Sequence, residues 1–356
     1  MWSFEIYNDW KEIWSETFLM KWNHIYESSP FSHVFFHPAV ARIWIDTYMP
    51  LRKITPIFVW GRYKDIEVFL PLVLWKKNWK QVFMKSIVSV GYSDYDYHDP
   101  LFSKMISDDE KEAFWVDLFE SLKIYHADEV CLEGIRSDII SSDPNWIKGE
   151  ICPCLNLSDM SDDSDLLSFL NTKLRGDIRR QIRRLNEIAE LKFKEYNSIG
   201  EVPVELFEEF LKVHTLRWPH AYKAPLFHKN LLGLCGINGP VHFSTLSVGD
   251  VVVAWHLGFE DDSTYYYYMP AGNPEYQKYS PVKIHLYYLI CRAIKKGLVK
   301  YDHLRGDETY KSGWADGSIY VNSLRQFNSS LSTNMKRSLL KFRSVISVSY
   351  THLRAH

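Results

Sequence analysis

The stretch "YYYYMPAGNPEYQKYSPVKIHLYYLICRAIKKGLVKYDHLRGDETYKSGW", residues 265–314, decides how the chain is read. Its four tyrosines predict a strand in which Tyr265 and Tyr267 face one way and Tyr266 and Tyr268 the other, as suits a sheet covered on both faces. Pro270, Gly272 and Pro274 are expected to end that ladder after Met269. Ser280 predicts an N-cap and Pro281 a first helical residue, leaving the N–H groups of Val282 to Ile284 free to hold an anion. Val282, Leu286, Leu289, Ile290 and Ala293 form the apolar stripe of this helix, and Lys295, Lys296 and Gly297 close it. "LVKYDHL" then predicts a strand parallel to the tyrosine strand, by the usual right-handed crossover. Its carboxyl end delivers Arg305, Asp307, Glu308, Tyr310 and Lys311. Open α/β sheets bind ligands at such ends, so an anion site and acid–base residues would share one crevice.

Outward from this stretch, "VHFSTLSVGDVVVAWHLGFEDDSTYYYYMP" predicts three strands joined by tight turns. The helix "NTKLRGDIRRQIRRLNEIAEL" places Leu174, Ile178, Ile182, Leu185 and Ile188 on one stripe, with Arg175, Arg179, Arg180, Arg183 and Arg184 around the rest. In "VHTLRW", His214 and Arg217 stand one helical turn apart beside Trp218, which can stack on a sugar or an adenine. "SDMSDDSDLL" is an acidic, serine-rich break, and it predicts domains 1–157 and 158–346. The first half reads as a helix "FFHPAVARIWIDTYM", a hairpin "ITPIFVWGRYKDIEVFLPLVLWKK", a helix "DDEKEAFWVDLFESLKIYH" and a strand "EVCLEGI". Its loop "YSDYDYHDP" is expected to line a cleft between the halves, with Asp94 and Tyr97 helping to bind an acceptor, rather than to hold a metal. Helix, hairpin and helix thus recur in the same order at domain length. Residues 347–356, "SVSYTHLRAH", share no pattern with the rest and read as a non-native tail.

The 356 residues are ample for two domains. With 46% hydrophobic residues, 15% aromatic and a formal charge of -2, the chain is neither a disordered tail nor a coat for nucleic acid. No secretory signal and no membrane span is visible, and a cytoplasmic protein is expected. Five cysteines without paired CxxC spacing argue against both a disulfide framework and a zinc ribbon, so no metal is expected.

The combination of strand, Ser-Pro helix start and "LRGDxxYK" in 265–314 resembles the acetyltransferase domain of the GNAT superfamily, as found in CelD-like acyltransferases, relatives of the Fem-type peptidyltransferases. "LNTKLRGDIRRQIRRLNE", "VHTLRW" and "YSDYDYHDP" resemble that family as well. The resemblance implies an α/β (α+β) fold of two tandem GNAT-like domains. Each would be a mixed, largely antiparallel sheet flanked by helices, with a splayed parallel strand pair at the donor site. It further implies acetyl-CoA or another acyl-CoA as co-substrate, bound by Met269, Tyr279, Ser280, Val282 and Lys283. Relatives often carry Gly where this chain has Val282, whose Cβ restricts close backbone approach. Asp307 or Glu308 would be the base, Tyr310 the acid, and Arg305 and Lys311 would hold an anionic acceptor. Acceptor contacts would also come from Asp94, Tyr97, His214, Arg217 and Trp218. The implied acceptor is a small amine, an amino sugar or a nucleotide-linked sugar of polysaccharide or cell-envelope synthesis.

Two other readings compete. A Fem-type ligase would draw aminoacyl groups from tRNA over the arginine-rich helix; it ranks lower because the chain is slightly acidic and shows no coiled-coil arm, and DNA is not expected. A non-catalytic, GNAT-shaped binding subunit of an envelope-polymer assembly is the third.

Overall fold

The computed structural model describes residues 1–92, 94–224 and 226–341, so the expected tail at 347–356 lies outside the described residues. The chain forms two compact units, one of Met1–Gly149 with the chain from Val321, the other of Glu150–Tyr320.

In the first unit, β1 (Ser3–Tyr7), β2 (Thr55–Tyr63), β3 (Ile66–Lys76) and β4 (Lys85–Ser89) form an antiparallel meander, and the short β5 (Leu101–Phe102) also pairs with β3. Helices α1 (Trp10–Ile13), α2 (Glu16–Ser28) and α3 (Pro38–Arg52) precede β2. A capping box of Ser107 and Glu110 starts α4 (Asp108–Leu122), which leads to β6 (Glu129–Arg136). β6 runs parallel to β4, but only through Ser86↔Glu129 and Ile87↔Val130. Past that point the "YSDYDYHDP" loop takes the edge of β6. His98 N–H donates to Gly134 O at 3.0 Å, His98 Nδ1 donates to Glu133 O at 2.8 Å, and Asp99 accepts from the Arg136 amide at 2.7 Å. Tyr97 is 1% exposed in this core, and Asp94 accepts from Trp44 Nε1 at 3.1 Å.

The second unit repeats that order. Strand β7 is Ile147–Asn156, followed by α5 (Asp163–Phe169) and α6 (Thr172–Asn186). Then come β8 (Leu191–Tyr196), α7 (Val204–Arg217), α8 (Phe227–Leu231), β9 (Val241–Val248), β10 (Val251–Glu260) and β11 (Thr264–Gly272). Helix α9 (Pro281–Lys296) crosses over to β12 (Lys300–Asp302), and β13 is Gly317–Phe327. β8, β9, β10 and β11 are antiparallel neighbours, β12 lies parallel to β11, and β7 closes on β12 antiparallel. The strand after each parallel pair changes unit: β7 follows β6 in sequence but pairs with β12, while β13 follows β12 and pairs with β6.

Each unit is therefore a mixed, largely antiparallel sheet with helices on it and one short parallel pair, as the sequence leads one to expect. Helix α9 buries Ile284, Leu286, Leu289, Ile290 and Ala293 against Tyr265, Tyr267 and Tyr301, and Gly297 ends it in the left-handed conformation at φ 78°. The other tyrosine face is covered too, with Tyr268 ring-packed on Phe259 at 5.0 Å. Helix α6 stops at Asn186, so Ile188, expected on its apolar stripe, lies beyond it and is 49% exposed. Among the described residues no helix is long and apolar enough to cross a membrane, and no group of three or more His, Cys, Asp or Glu is placed to hold a metal.

Candidate active site

The pairing of β11 with β12 covers Thr264↔Lys300, Tyr265↔Tyr301 and Tyr266↔Asp302 and then stops, whereas β11 stays paired with β10 as far as Gly272. The two parallel strands thus part after Tyr266, leaving one edge of β11 open. Pro270 does not end the strand as its sequence position suggested. Asn273 N–H donates to Val253 O, so by alternation the amides of Ala271 and Met269 also face β10. The N–H that Pro270 lacks would have pointed to the open edge, where the ladder does not need it. Gly272 N–H points to that same edge. A bulge between Leu257 and Phe259 shifts the register opposite Tyr267 and Tyr268.

A pocket of about 540 Å³ opens here, between the open end of β11, the start of α9 and the end of α7. Of the residues expected at the site from sequence, Ser280, Val282, Lys283, His214, Arg217, Trp218 and Tyr310 line it. Met269, Tyr279, Arg305, Asp307, Glu308 and Lys311 do not. Asp94 and Tyr97 belong to the first unit.

The helix start differs from its expected form. Ser280 is left-handed at φ 53° and its side chain makes no capping bond, because a cap of the usual kind requires an extended backbone. Its carbonyl takes the amides of Lys283 at 3.0 Å and Ile284 at 3.3 Å. Of the three amides expected to be free, Val282 N–H is the one without a backbone partner among the described residues. Lys283 Nζ lies 2.6 Å from Asp177 of α6. Gln277 and Asn273 line the same wall, Asn273 with its Oδ1 taken by Glu275 N–H at 3.0 Å. This set fits one or two phosphate oxygens rather than a full phosphate cradle.

The opposite wall comes from α7. His214 is buried, its Nδ1 2.8 Å from Tyr222 Oη, and burial with Arg217 nearby lowers its pKa to about 4, so it is neutral at pH 7. Trp218 is 41% exposed and sits at the mouth, with the Arg217 guanidinium 5.5 Å from its ring. The tertiary fold therefore buries the histidine and exposes the tryptophan. Tyr310, 39% exposed, also lines the pocket, its pKa raised by the partial burial of its ring and by Glu308. Lys311 is buried, with Nζ 2.6 Å from Arg305 O and 2.9 Å from Glu308 Oε2, so it braces the loop after β12. Asp307 is exposed on that loop.

Tyr267 also lines the pocket, and its role escaped the sequence reading. The four-tyrosine run marked it only as half of an alternating pattern. What distinguishes it from Tyr265 is the parting of β11 from β12 just before it, a tertiary event.

Residues 172–312 match the family model described as "Acetyltransferase (GNAT) domain". The match lies within the second unit and spans α6, α7, α9 and the loop after β12. No curated protein matches the chain. Among solved structures the chain is similar to FemX, with TM-score 0.57 and 12% identity over 85% of this chain and 95% of that one. It is also similar to a conserved protein of unknown function from Bacteroides thetaiotaomicron VPI-5482, with TM-score 0.53 and 14% identity over 86% and 97%. At these identities the likenesses establish the fold. Residues 172–312 of the second unit thus carry the sequence pattern of a GNAT acetyltransferase domain, in a chain whose fold is similar to that of FemX.

Proposed function

We propose that the second unit is an acyl-CoA-dependent N-acyltransferase of the CelD-like kind. Its acceptor is a small amine, such as an amino sugar or a nucleotide-linked sugar of polysaccharide or cell-envelope synthesis. The observation that carries this reading is the pocket at the parting of β11 and β12, whose charged lining residues are Arg217 and Lys283 and whose edge offers Gly272 N–H and Val282 N–H. A thioester arm lies along the open edge of β11, with its phosphates toward Ser280, Val282 and Lys283. The acceptor enters beside Trp218 and Arg217, which suit a sugar face and an anionic group. His214, being neutral, orients the amine, and the hydroxyl of Tyr310, kept protonated by its raised pKa, serves the leaving thiolate. Glu308 and Lys311 hold the loop that presents Tyr310.

Calorimetric titration with acetyl-CoA and CoA tests the donor, alongside thiol release with a panel of amines. Micromolar binding that Ser280→Asp abolishes and Val282→Gly preserves supports the reading. Absence of heat with the wild type and with Val282→Gly, and of thiol release, would sink it.

A Fem-type aminoacyl-tRNA donor is the second reading. Its support is the arginine face of α6, where Arg184 stands 4.7 Å over the Tyr279 ring and so gains an aromatic neighbour, together with the fold shared with FemX. Salt-dependent binding of bulk tRNA, lost in Arg179→Glu/Arg183→Glu, would favour it over CoA.

A further inference from the structure

Behind the pocket, on the α9 side of the sheet, four side chains form a hydrogen-bonded chain of one polarity. Glu195 on β8 is ionised, its pKa held at about 2 by His242 and Arg292 against the opposing effect of burial. As a carboxylate it can only accept, so His242 Nε2, 2.9 Å away, carries the hydrogen. Burial keeps His242 neutral, and its bare Nδ1 accepts from Tyr265 Oη at 2.8 Å. Tyr265 has then donated its one proton. It accepts, at 3.0 Å, from His256 Nδ1–H. His256 is also neutral by burial, so its Nε2 bears a lone pair, and this buried atom has no partner among the described residues.

Two more buried atoms nearby are in the same position. His303 donates from Nε2 to Trp314 O at 3.4 Å, leaving a bare Nδ1 without a partner, and Tyr301 Oη has none either. All three rings pack around Tyr267: His256 is stacked on it at 4.5 Å and 8°, while Tyr301 and His303 stand 6.1 Å from it. A buried polar atom left without a partner forfeits its hydration and gains nothing in return, so three such atoms together call for a partner. Two bare nitrogens and one hydroxyl match the two donors and two acceptors of water.

We propose that ordered water behind Tyr267 joins these atoms to the pocket, and that the chain His256–Tyr265–His242–Glu195 carries away the proton released on acylation of the amine. This rests on the acyl-transfer reading. The amine nitrogen attacks the thioester carbon, the C–N bond forms, the C–S bond breaks, and the thiolate leaves with its electron pair. The amine proton passes to water and a water proton to His256 Nε2. The Nδ1 proton of His256 moves to Tyr265, that of Tyr265 to His242 Nδ1, and the Nε2 proton of His242 to Glu195. Glu195, 31% exposed in its side chain, releases it to solvent. In the return shift Glu195 takes up a solvent proton and the chain passes one back through water to the thiolate, which restores both tautomers. Among the described residues the other ionisable groups facing His256 are Tyr267, stacked on it and kept protonated by burial, and His285 from α9 and His214 from α7, both kept neutral by burial. Arg292 is 5.8 Å from the Tyr265 ring, and its charge is matched by Glu195 and Glu260. His256, Tyr265 and His242 are positioning and relay residues, since none of them lines the pocket.

The test uses the full chain, with His256→Gln, Tyr265→Phe and the double variant. Rates of thiol release are measured across pH in H₂O and D₂O, with donor affinity by calorimetry and melting temperature as a fold control. The expected result is a fall in kcat of about 10–100-fold for each single variant, unchanged donor affinity and a displaced pH profile. The double variant should be no slower than either single one, since both break the same route. In the wild type, nitrogen-15 NMR should find His242 protonated at Nε2 and His256 at Nδ1. Wild-type turnover with single variants within twofold of it, a multiplicative double variant, a pH profile that follows His214 instead, or the opposite tautomers would overturn the relay alone. Absence of wild-type turnover with every donor would instead overturn the acyl-transfer reading beneath it.

Discussion

Val282 Cγ2 lies 2.6 Å from where a Cβ on Gly272 would stand, so β11 and the first turn of α9 meet through a glycine that leaves no room for a side chain. Gly272→Ala must push Val282 toward the pocket or open the strand. A loss of about 1–3 kcal/mol in chemical denaturation is expected, with weaker donor binding. Pairing it with Val282→Ala should recover most of the stability. A single variant as stable as the wild type would show that the contact yields freely.

Lys311 was expected to hold an acceptor, but its ammonium is buried against two carbonyls and Glu308, in a loop where Leu304 has φ 57° and Gly306 φ 127°. Lys311→Met removes the cation and leaves Glu308 and the carbonyls without it. The expected cost is about 3 kcal/mol in urea unfolding, with loss of the geometry that presents Tyr310. Unchanged stability with a raised acceptor KM would return Lys311 to the role of acceptor ligand.

Burial lowers the pKa of His214 and His303 to about 4 and of His228 and His285 to about 3. The unfolded histidines titrate near 6.5, so below that pH the unfolded state binds more protons than the folded one. The stability these groups contribute is complete above pH 6.5 and is lost as the pH falls toward 4 and 3. On unfolding at pH 5 these four imidazoles should together bind about four protons from solvent, read from the pH dependence of the denaturation midpoint. A midpoint that does not change between pH 7 and pH 5 would contradict their burial as neutral rings.

In the first unit the edge of β6 past its pairing with β4 is occupied by His98 and Asp99, whereas the matching edge of β11 is open. One donor should therefore bind per chain, at the second unit. A calorimetric stoichiometry of two, or donor binding that survives Ser280→Asp, would place a site in the first unit.

Local pattern determined much of this protein. The alternating tyrosines, the stop at Gly297 and the repeated order of helix, hairpin and helix follow from side-chain periodicity and backbone preference, which act over a few residues and are visible in them. His214, Arg217, Trp218 and Tyr310 were also singled out by the sequence, the first three around the end of α7 and Tyr310 in the loop after β12, and all four line the pocket. The conformation of Ser280 was not, because the turn from Pro274 to Tyr279 that precedes it sets its backbone against the preference of a serine cap. Nor was the inward turn of Lys311, or the rank of Tyr267 above its three sister tyrosines. Those depend on where β12 leaves β11 and on which charges and lone pairs are brought together across β8 to β12. Strand pairing and burial decide them, over distances in sequence that no local pattern spans.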